Sequence, residues 1–494
     1  MAGQWSGGAR RIGIIGAGAG GIASGVRLLE AGYDDLLILE KAAGPGGTWF
    51  HNRYPGLQCD VPSHLYSFSF EPHWLWSRPY GNGPEIRAYM EHVVEKYGLT
   101  PHIRFDTAVA TARWDDARSV WLLTTGAGEV LEFDIVIAGL GMFNELNSPD
   151  IPGLDTFGGH QFHSARWDWD HDLTGETVAV IGSAASAVQF VPEIAKEVGQ
   201  LHLFQRAANW VLPKIDTPYT DAEIEHFRTH PEAVVELRQQ IFDQIDPYLT
   251  FMNTDQLQAR TEIGRQAIDV VEDPEVRRKL TPTVPYGCQR PLVSNYYYPT
   301  FNRPNVELVA EPIERITETG IVTADGVERG VDTIVLATGF KTTQFLSAID
   351  VTGRDGVRLA DSWVDGAHAY LGITTARFPN LFMLYGPNTN NGSIIYMIEA
   401  QVEYAVRHLQ WMDEQGASWI DVKPEVEAEY NDRLQEDMAT VGPWAAGNCH
   451  NYYRSASGRI VTQWPHSMSE YRRVTEAPDD DAFEIAPDAL RVER

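Results

Sequence analysis

Short apolar runs that end in glycine-rich turns punctuate the first third of the chain. Residues 11–15, Arg-Ile-Gly-Ile-Ile, read as a buried strand. The turn Gly16-Ala-Gly-Ala-Gly-Gly21 follows, then a helix over 22–31 and a second strand over 36–40. That order is a βαβ unit. It recurs in Thr177-Val-Ala-Val-Ile181, the turn Gly182-Ser-Ala-Ala-Ser-Ala187, a helix through Val198 and the strand Leu201-His-Leu-Phe204. Residues 221–280 change character: 223–228, 231–245 and 255–271 read as charged helices without strand signals. Pro231 suits the first turn of its helix, where no backbone donor is needed. Strand patterning returns at 306–309, 320–323 and 332–336, and Gly339 closes a turn. Residues 400–415 form an amphipathic helix with Val402, Val406, Leu409 and Met412 on one face. Beyond Ala477 the acidic run Asp479-Asp-Asp481 reads as a loosely held tail.

The 494 residues suggest roughly three domains. Hydrophobic content of 43% argues against disorder. No apolar run reaches about 18 residues, and Met1 to Arg11 lacks a signal peptide's apolar core. A formal charge of −29 disfavours nucleic acid and anionic membrane as partners. The three cysteines, Cys59, Cys288 and Cys449, show neither a Cys-x-x-Cys pair nor zinc spacing. They suggest a cytoplasmic protein with no metal site and no disulfide framework.

Gly16, Gly18 and Gly21 complete a G-x-G-x-x-G between strand and helix. In such a turn phosphates sit on the helix N-terminus, and a carboxylate ending the next strand, here Glu40, accepts the ribose hydroxyls. The second turn carries Ala184 where the middle glycine would stand, with Ser183 and Ser186 as hydroxyl donors and Gln189 on the following helix. Arg206 replaces the acid, and its guanidinium can fork onto a 2′-phosphate. The two units therefore call for different nucleotides, an unphosphorylated ribose first and NADPH second.

Two longer segments narrow the chemistry. Gly46-Gly-Thr-Trp-Phe-His-Asn-Arg-Tyr-Pro-Gly-Leu-Gln-Cys-Asp60 follows the first turn, and Phe157-Gly-Gly-His-Gln-Phe-His-Ser-Ala-Arg-Trp-Asp168 precedes the second. Both match, at every defined position, signatures of the Baeyer–Villiger monooxygenases, which are class B flavoproteins. The chain resembles that family from about residue 10 to about 475. Trp167-Asp168 sets it apart from related enzymes that oxidise nitrogen or sulfur.

The resemblance implies an α/β fold with two Rossmann-like dinucleotide-binding domains, for FAD and NADP, and a helical subdomain inserted in the NADP domain. The implied division is 1–146 and 343–494 for FAD, 147–217 and 284–342 for NADP, and 218–283 for the helices. It places Thr48, Trp49, Asp60 and Tyr66 beside the flavin, the backbone of Val109 at the adenine, and Ala337 and Thr338 near both cofactors. His163 falls at the domain linker. Arg290 takes the place of the catalytic arginine, held by Asp60. Gln289 replaces a common lysine, and Tyr452 stands in the loop that closes over NADP. The implied reaction consumes NADPH and molecular oxygen and converts a ketone to an ester or lactone through a flavin C4a-peroxide and a Criegee adduct. Two alternatives share the architecture: a sulfur- or nitrogen-oxygenating flavoenzyme, and an uncoupled NADPH oxidase or redox-binding flavoprotein.

Overall fold

The computed structural model describes residues 10–446, 449 and 451–487. The signal-peptide reading falls largely on residues 1–9, outside them. Two five-stranded sheets carry the molecule. In the first, Ile12–Ile15 lies between Leu36–Leu39 and Ile135–Ala138, parallel to both. Leu381–Met383, from far down the chain, extends one side, and Ile103–Arg104 the other. All four residues of the central strand are buried, as expected where helices or other layers cover both faces. The second sheet runs Val306–Val309, Gln200–Phe204, Thr177–Ile181, Thr333–Leu336, His160–His163, again all parallel. The doubly wound α/β fold expected from the repeated βαβ pattern is therefore present twice.

The helical segment between the sheets' strands comprises Asp221–Thr229, Pro231–Ile245, Thr254–Ile268 and Pro274–Leu280. Thr220 and Glu223 close a reciprocal capping box at its start. Arg238 anchors this segment on the first domain. Its Nη1 donates to the carbonyls of His64, Leu65 and Ser67, and its Nη2 lies 3.7 Å from the buried Glu399 carboxylate.

Three expectations need correction. The acidic tail is docked, because Asp479 accepts from the Tyr404 hydroxyl at 2.6 Å and pairs with His408 at 3.2 Å, while Phe483–Pro487 lies antiparallel to Ala417–Val422. The long amphipathic helix spans Ile394–Glu414, beginning six residues before the periodic apolar face. Cys288 and Cys449, 161 residues apart, form a disulfide with Cα atoms 5.6 Å apart. Sequence spacing gives no sign of such a pair, since the fold alone brings the two segments together. Among the described residues no helix is long and apolar enough to cross a membrane.

Candidate active site

The two phosphate turns are near copies in backbone. Gly16 and Gly182 both adopt positive φ, 97° and 110°, and each packs against a carbonyl of the neighbouring strand's end, Gly139 and Ala337 respectively. Gly18 and Ala184 are the residues preceding helices Ala19–Glu30 and Ala185–Ile194. Their conformations agree closely, φ −80°, ψ −168° and φ −88°, ψ −160°, and neither helix has a side-chain cap. Both helices thus present free N–H groups to an anion. Since φ is ordinary at both positions, glycine at 18 provides space, and the methyl of Ala184 occupies the matching space in the second turn.

Glu40 is buried, and its two carboxylate oxygens accept the backbone N–H groups of Ala17 and Ala42, each at 2.7 Å. This fixes the carboxylate at the mouth of the first turn with lone pairs to spare. Thr107 N donates to the Glu40 carbonyl, which carries the chain past this carboxylate into Val109. Val109 opens an antiparallel strand, Val109–Asp115, that the apolar pattern did not reveal. The second turn differs in chemistry. Ser183 Oγ turns to the Ala207 carbonyl at 3.4 Å, and Asn209 Nδ2 holds the Ser183 carbonyl at 3.1 Å. Ser186 is half-buried, and Arg206 is exposed with no ion-pair partner among the described residues.

Gln189 joins the domains. Its Oε1 accepts from the Tyr54 hydroxyl at 3.0 Å and from Gln58 N at 3.3 Å, and its Nε2 donates to the Gln58 carbonyl at 2.9 Å. The side chain expected to face NADP is spent on the other domain. The same contact explains the Pro-Gly of the first signature: a Cβ at Gly56, whose φ is 74°, would stand 2.7 Å from the Gln189 carbonyl oxygen. Gln58 in turn reaches a buried pair that the sequence did not single out. Lys214 Nζ donates to Gln58 Oε1 at 2.7 Å, lies 3.5 Å from Asp216 and sits 4.7 Å above the Tyr80 ring. Burial pulls the Lys214 ammonium below its ordinary pKa, against the pull of Asp216.

Two residues beyond Gln58, Asp60 meets Arg290. Arg290 Nε and Nη2 lie 2.9 and 2.7 Å from the same oxygen, Oδ2, and both side chains keep about a third of their surface exposed, 33% and 29%. Asp60 raises the arginine's pKa further above its ordinary value, against the opposing effect of burial, so the guanidinium is permanently charged. The phenols of Tyr452 and Tyr385 lie near the guanidinium. Tyr385 is buried, with its hydroxyl donating to Asn390 Oδ1 at 2.8 Å, whereas Tyr452 is 37% exposed. Trp49 Nε1 donates to the Tyr66 hydroxyl at 3.2 Å, and Thr48 is exposed at the start of the same short helix, Thr48–His51.

The second signature packs around the second sheet and its phosphate helix. Trp167 packs on Phe162 and on Phe190 of the second phosphate helix, and Asp168 accepts from or pairs with His160 at 3.0 Å. A Cβ at Gly159 would collide with the Asp332 carbonyl and the Phe157 ring, so the Phe-x-Gly spacing is set by packing. His163 accepts the Ala165 N–H at Nδ1 and lies against Phe340. Burial lowers its pKa. It pairs in register with Leu336, just before Ala337 and Thr338, and the Thr338 hydroxyl bonds the Asn147 carbonyl on the connecting segment.

Residues 13–246 match a family model described as pyridine nucleotide-disulphide oxidoreductase. A Baeyer–Villiger monooxygenase of Streptomyces coelicolor is 41% identical over 488 residues, 96% of this chain and 92% of that protein. The chain belongs to the Baeyer–Villiger monooxygenase family. Among solved structures, cyclohexanone monooxygenase from Rhodococcus sp. Phi1 bound to NADP+ superposes with a TM-score of 0.87 at 32% identity, covering 98% of this chain and 100% of that one. The OTEMO complex with FAD and NADP gives 0.87 at 29% identity, covering 97% and 99%. This Baeyer–Villiger monooxygenase lacks a Cys-x-x-Cys pair, so the disulphide chemistry in the family model's description does not carry over through that motif. The flavin monooxygenase expected from the two signatures is what the chain is.

Proposed function

We propose that this Baeyer–Villiger monooxygenase binds FAD on the first sheet and NADPH on the second, and inserts one oxygen atom of O2 beside a ketone carbonyl to give an ester or lactone. The residues present fit both cofactors. Two uncapped helix N-termini suit two pyrophosphates, Glu40 is fixed for a ribose diol, and Arg206, with no ion-pair partner among the described residues, is a cation where a 2′-phosphate would lie. The domain division at 1–146, 147–217, 218–283, 284–342 and 343–494 belongs to the same proposal. When bound, the cofactors supply a hydride and an activated form of oxygen.

The chain's own residues do the rest. Trp49 and Tyr66, locked to each other, form a rigid wall for the flavin's side of the cleft. Asp60 orients Arg290 through a hydrogen bond from Nε and an ion-pair contact from Nη2 to one oxygen, and leaves Nη1 free of that pair to face the reacting atoms. A fixed positive charge there stabilises the negative charge that builds on oxygen as it attacks the carbonyl. A lysine would do this less well, because desolvation can strip its proton. Tyr452 helps exclude water from the same cation. The Arg290–Asp60 pair is the observation that carries this reading. Its test is a screen of linear, cyclic and bulky ketones with purified holoenzyme, following NADPH consumption and product mass. A product heavier than the ketone by one oxygen atom supports it. Oxygenation of thioethers or amines alone, or peroxide release equal to the NADPH consumed, contradicts it.

A further inference from the structure

The disulfide lies beside the proposed catalytic cation. Cys288 stands two residues before Arg290, and Cys449 three residues before Tyr452. Several contacts bind the same two segments. Asn451 Nδ2 donates to the Cys288 carbonyl at 2.6 Å and lies 3.1 Å from Cys449 Sγ. Trp444 Nε1 donates to the Gly287 carbonyl at 3.0 Å. Tyr453 N donates to Asn451 Oδ1 at 3.0 Å, and the Tyr453 ring packs on Trp444. Trp444, Cys449 and Asn451 thus hold to residues 287 and 288, with Tyr452 near enough to Arg290 for each to feel the other's charge. A disulfide holds its Cα atoms within about 7 Å, so while the bond lasts these segments cannot separate. Once it is reduced, the contacts that still tie the described residues of these segments include the neutral hydrogen bonds of Asn451 and Trp444.

We propose that Cys288 and Cys449 form a reversible thiol–disulfide site whose oxidised state latches the Tyr452 segment over Arg290 and whose reduction opens it. The inference rests on the proposed role of Arg290. The reactant it would take is a small or protein dithiol. One thiolate of the dithiol attacks Cys449 Sγ, since Cys449 is the more exposed residue, 6% against 0% for Cys288. The Cys288–Cys449 bond breaks, and Cys288 leaves as a thiolate that takes up a proton. The second thiol of the dithiol then attacks the mixed disulfide and releases Cys449. The chain ends with two S–H groups, and the dithiol ends as a disulfide. Exchange with a disulfide oxidant runs the steps backwards. Cys59 is buried and unpaired, so it adds one constant thiol to any count. An opened segment would admit water and the protons it carries, so that reduced dioxygen would leave as hydrogen peroxide in place of forming ester.

The experiment uses the holoenzyme, oxidised with glutathione disulfide or reduced with dithiothreitol and then desalted. Thiols titrated after denaturation should number about one per chain in the first sample and about three in the second, as one or all three cysteines are free. The readout is hydrogen peroxide released per NADPH consumed in the presence of a ketone. We expect reduction to raise this ratio at least threefold, reoxidation to restore it, and Cys449→Ser to leak like the reduced parent whatever the treatment. Equal ratios in the two samples would overturn the proposal, and so would a thiol count that native dithiothreitol and glutathione disulfide cannot move. Peroxide per NADPH is scored separately from ester formation by Arg290 variants, on which the proposed function depends.

Discussion

Asp60 Oδ2 receives both Nε and Nη2 of Arg290, 2.9 and 2.7 Å away, although 230 residues separate them in sequence. The first signature ends at Asp60, and Arg290 lies beyond the helical segment, so the folded chain builds this contact from two domains. Gln189, bonded to the backbone two residues before Asp60, holds the two domains at that spacing. Asp60→Asn keeps the size and one acceptor but removes the charge. The pair is one-third exposed, so the loss should be about 1–2 kcal/mol, roughly a tenfold fall in ester formation. Flavin content, read from visible absorbance, should stay at the parental level. A variant that forms ester at the parental rate would show that Asp60 does not position Arg290.

Arg206 carries the nucleotide preference. Its guanidinium is exposed and has no carboxylate partner among the described residues. A phosphate fork there contributes on the order of 2–3 kcal/mol. Arg206→Ala should therefore raise the KM for NADPH strongly and that for NADH little. Equal effects on the two would mean that the 2′-phosphate is read elsewhere.

Ala184→Gly should tighten NADP+ binding and lower peroxide release. Gly18 and Ala184 share one backbone conformation, so the substitution relieves no strain and removes only a methyl group from the approach to the helix N-terminus. Glycine before a helix is at least as favourable as alanine, so stability should be unchanged. The checks are the NADP+ dissociation constant and hydrogen peroxide per NADPH, for parent and variant. Unchanged values in both would mark the altered turn as tolerated variation.

The periodic elements were legible because continuous burial writes continuous apolar runs, as at Ile12–Ile15 and Thr333–Leu336. Asp60 was legible because it ends the first signature, and Arg290 through the place it takes in the family resemblance. Lys214 was not, because a lone lysine after Val211–Leu212 looks like any surface charge until the fold buries it beside Gln58 and Asp216. The antiparallel strand Val109–Asp115 escaped because Thr111, Arg113 and Asp115 interrupt its apolar positions. The docking of Asp479 depends on Tyr404 and His408, both far upstream. The Cys288–Cys449 bond similarly joins segments from two domains, which no spacing rule connects.

A pH series distinguishes charge from shape at position 290. Arg290→Lys supplies a cation whose proton burial can strip, whereas the parental arginine stays charged throughout. A lysine with a lowered pKa is charged below that pKa and neutral above it. Its ester yield relative to parent should therefore fall as pH rises from about 7 to about 10. A constant ratio would show that the group's charge does not limit the reaction.

The most direct measurement compares two rates in Arg290→Ala: reduction of bound flavin by NADPH without oxygen, and ester formation with oxygen and a ketone substrate. The positive charge is needed after oxygen enters, so reduction should proceed at close to the parental rate while ester formation disappears. Ester formation at more than about a tenth of the parental rate, a loss below roughly 1.4 kcal/mol, would contradict the assignment of Arg290 as the stabilising cation.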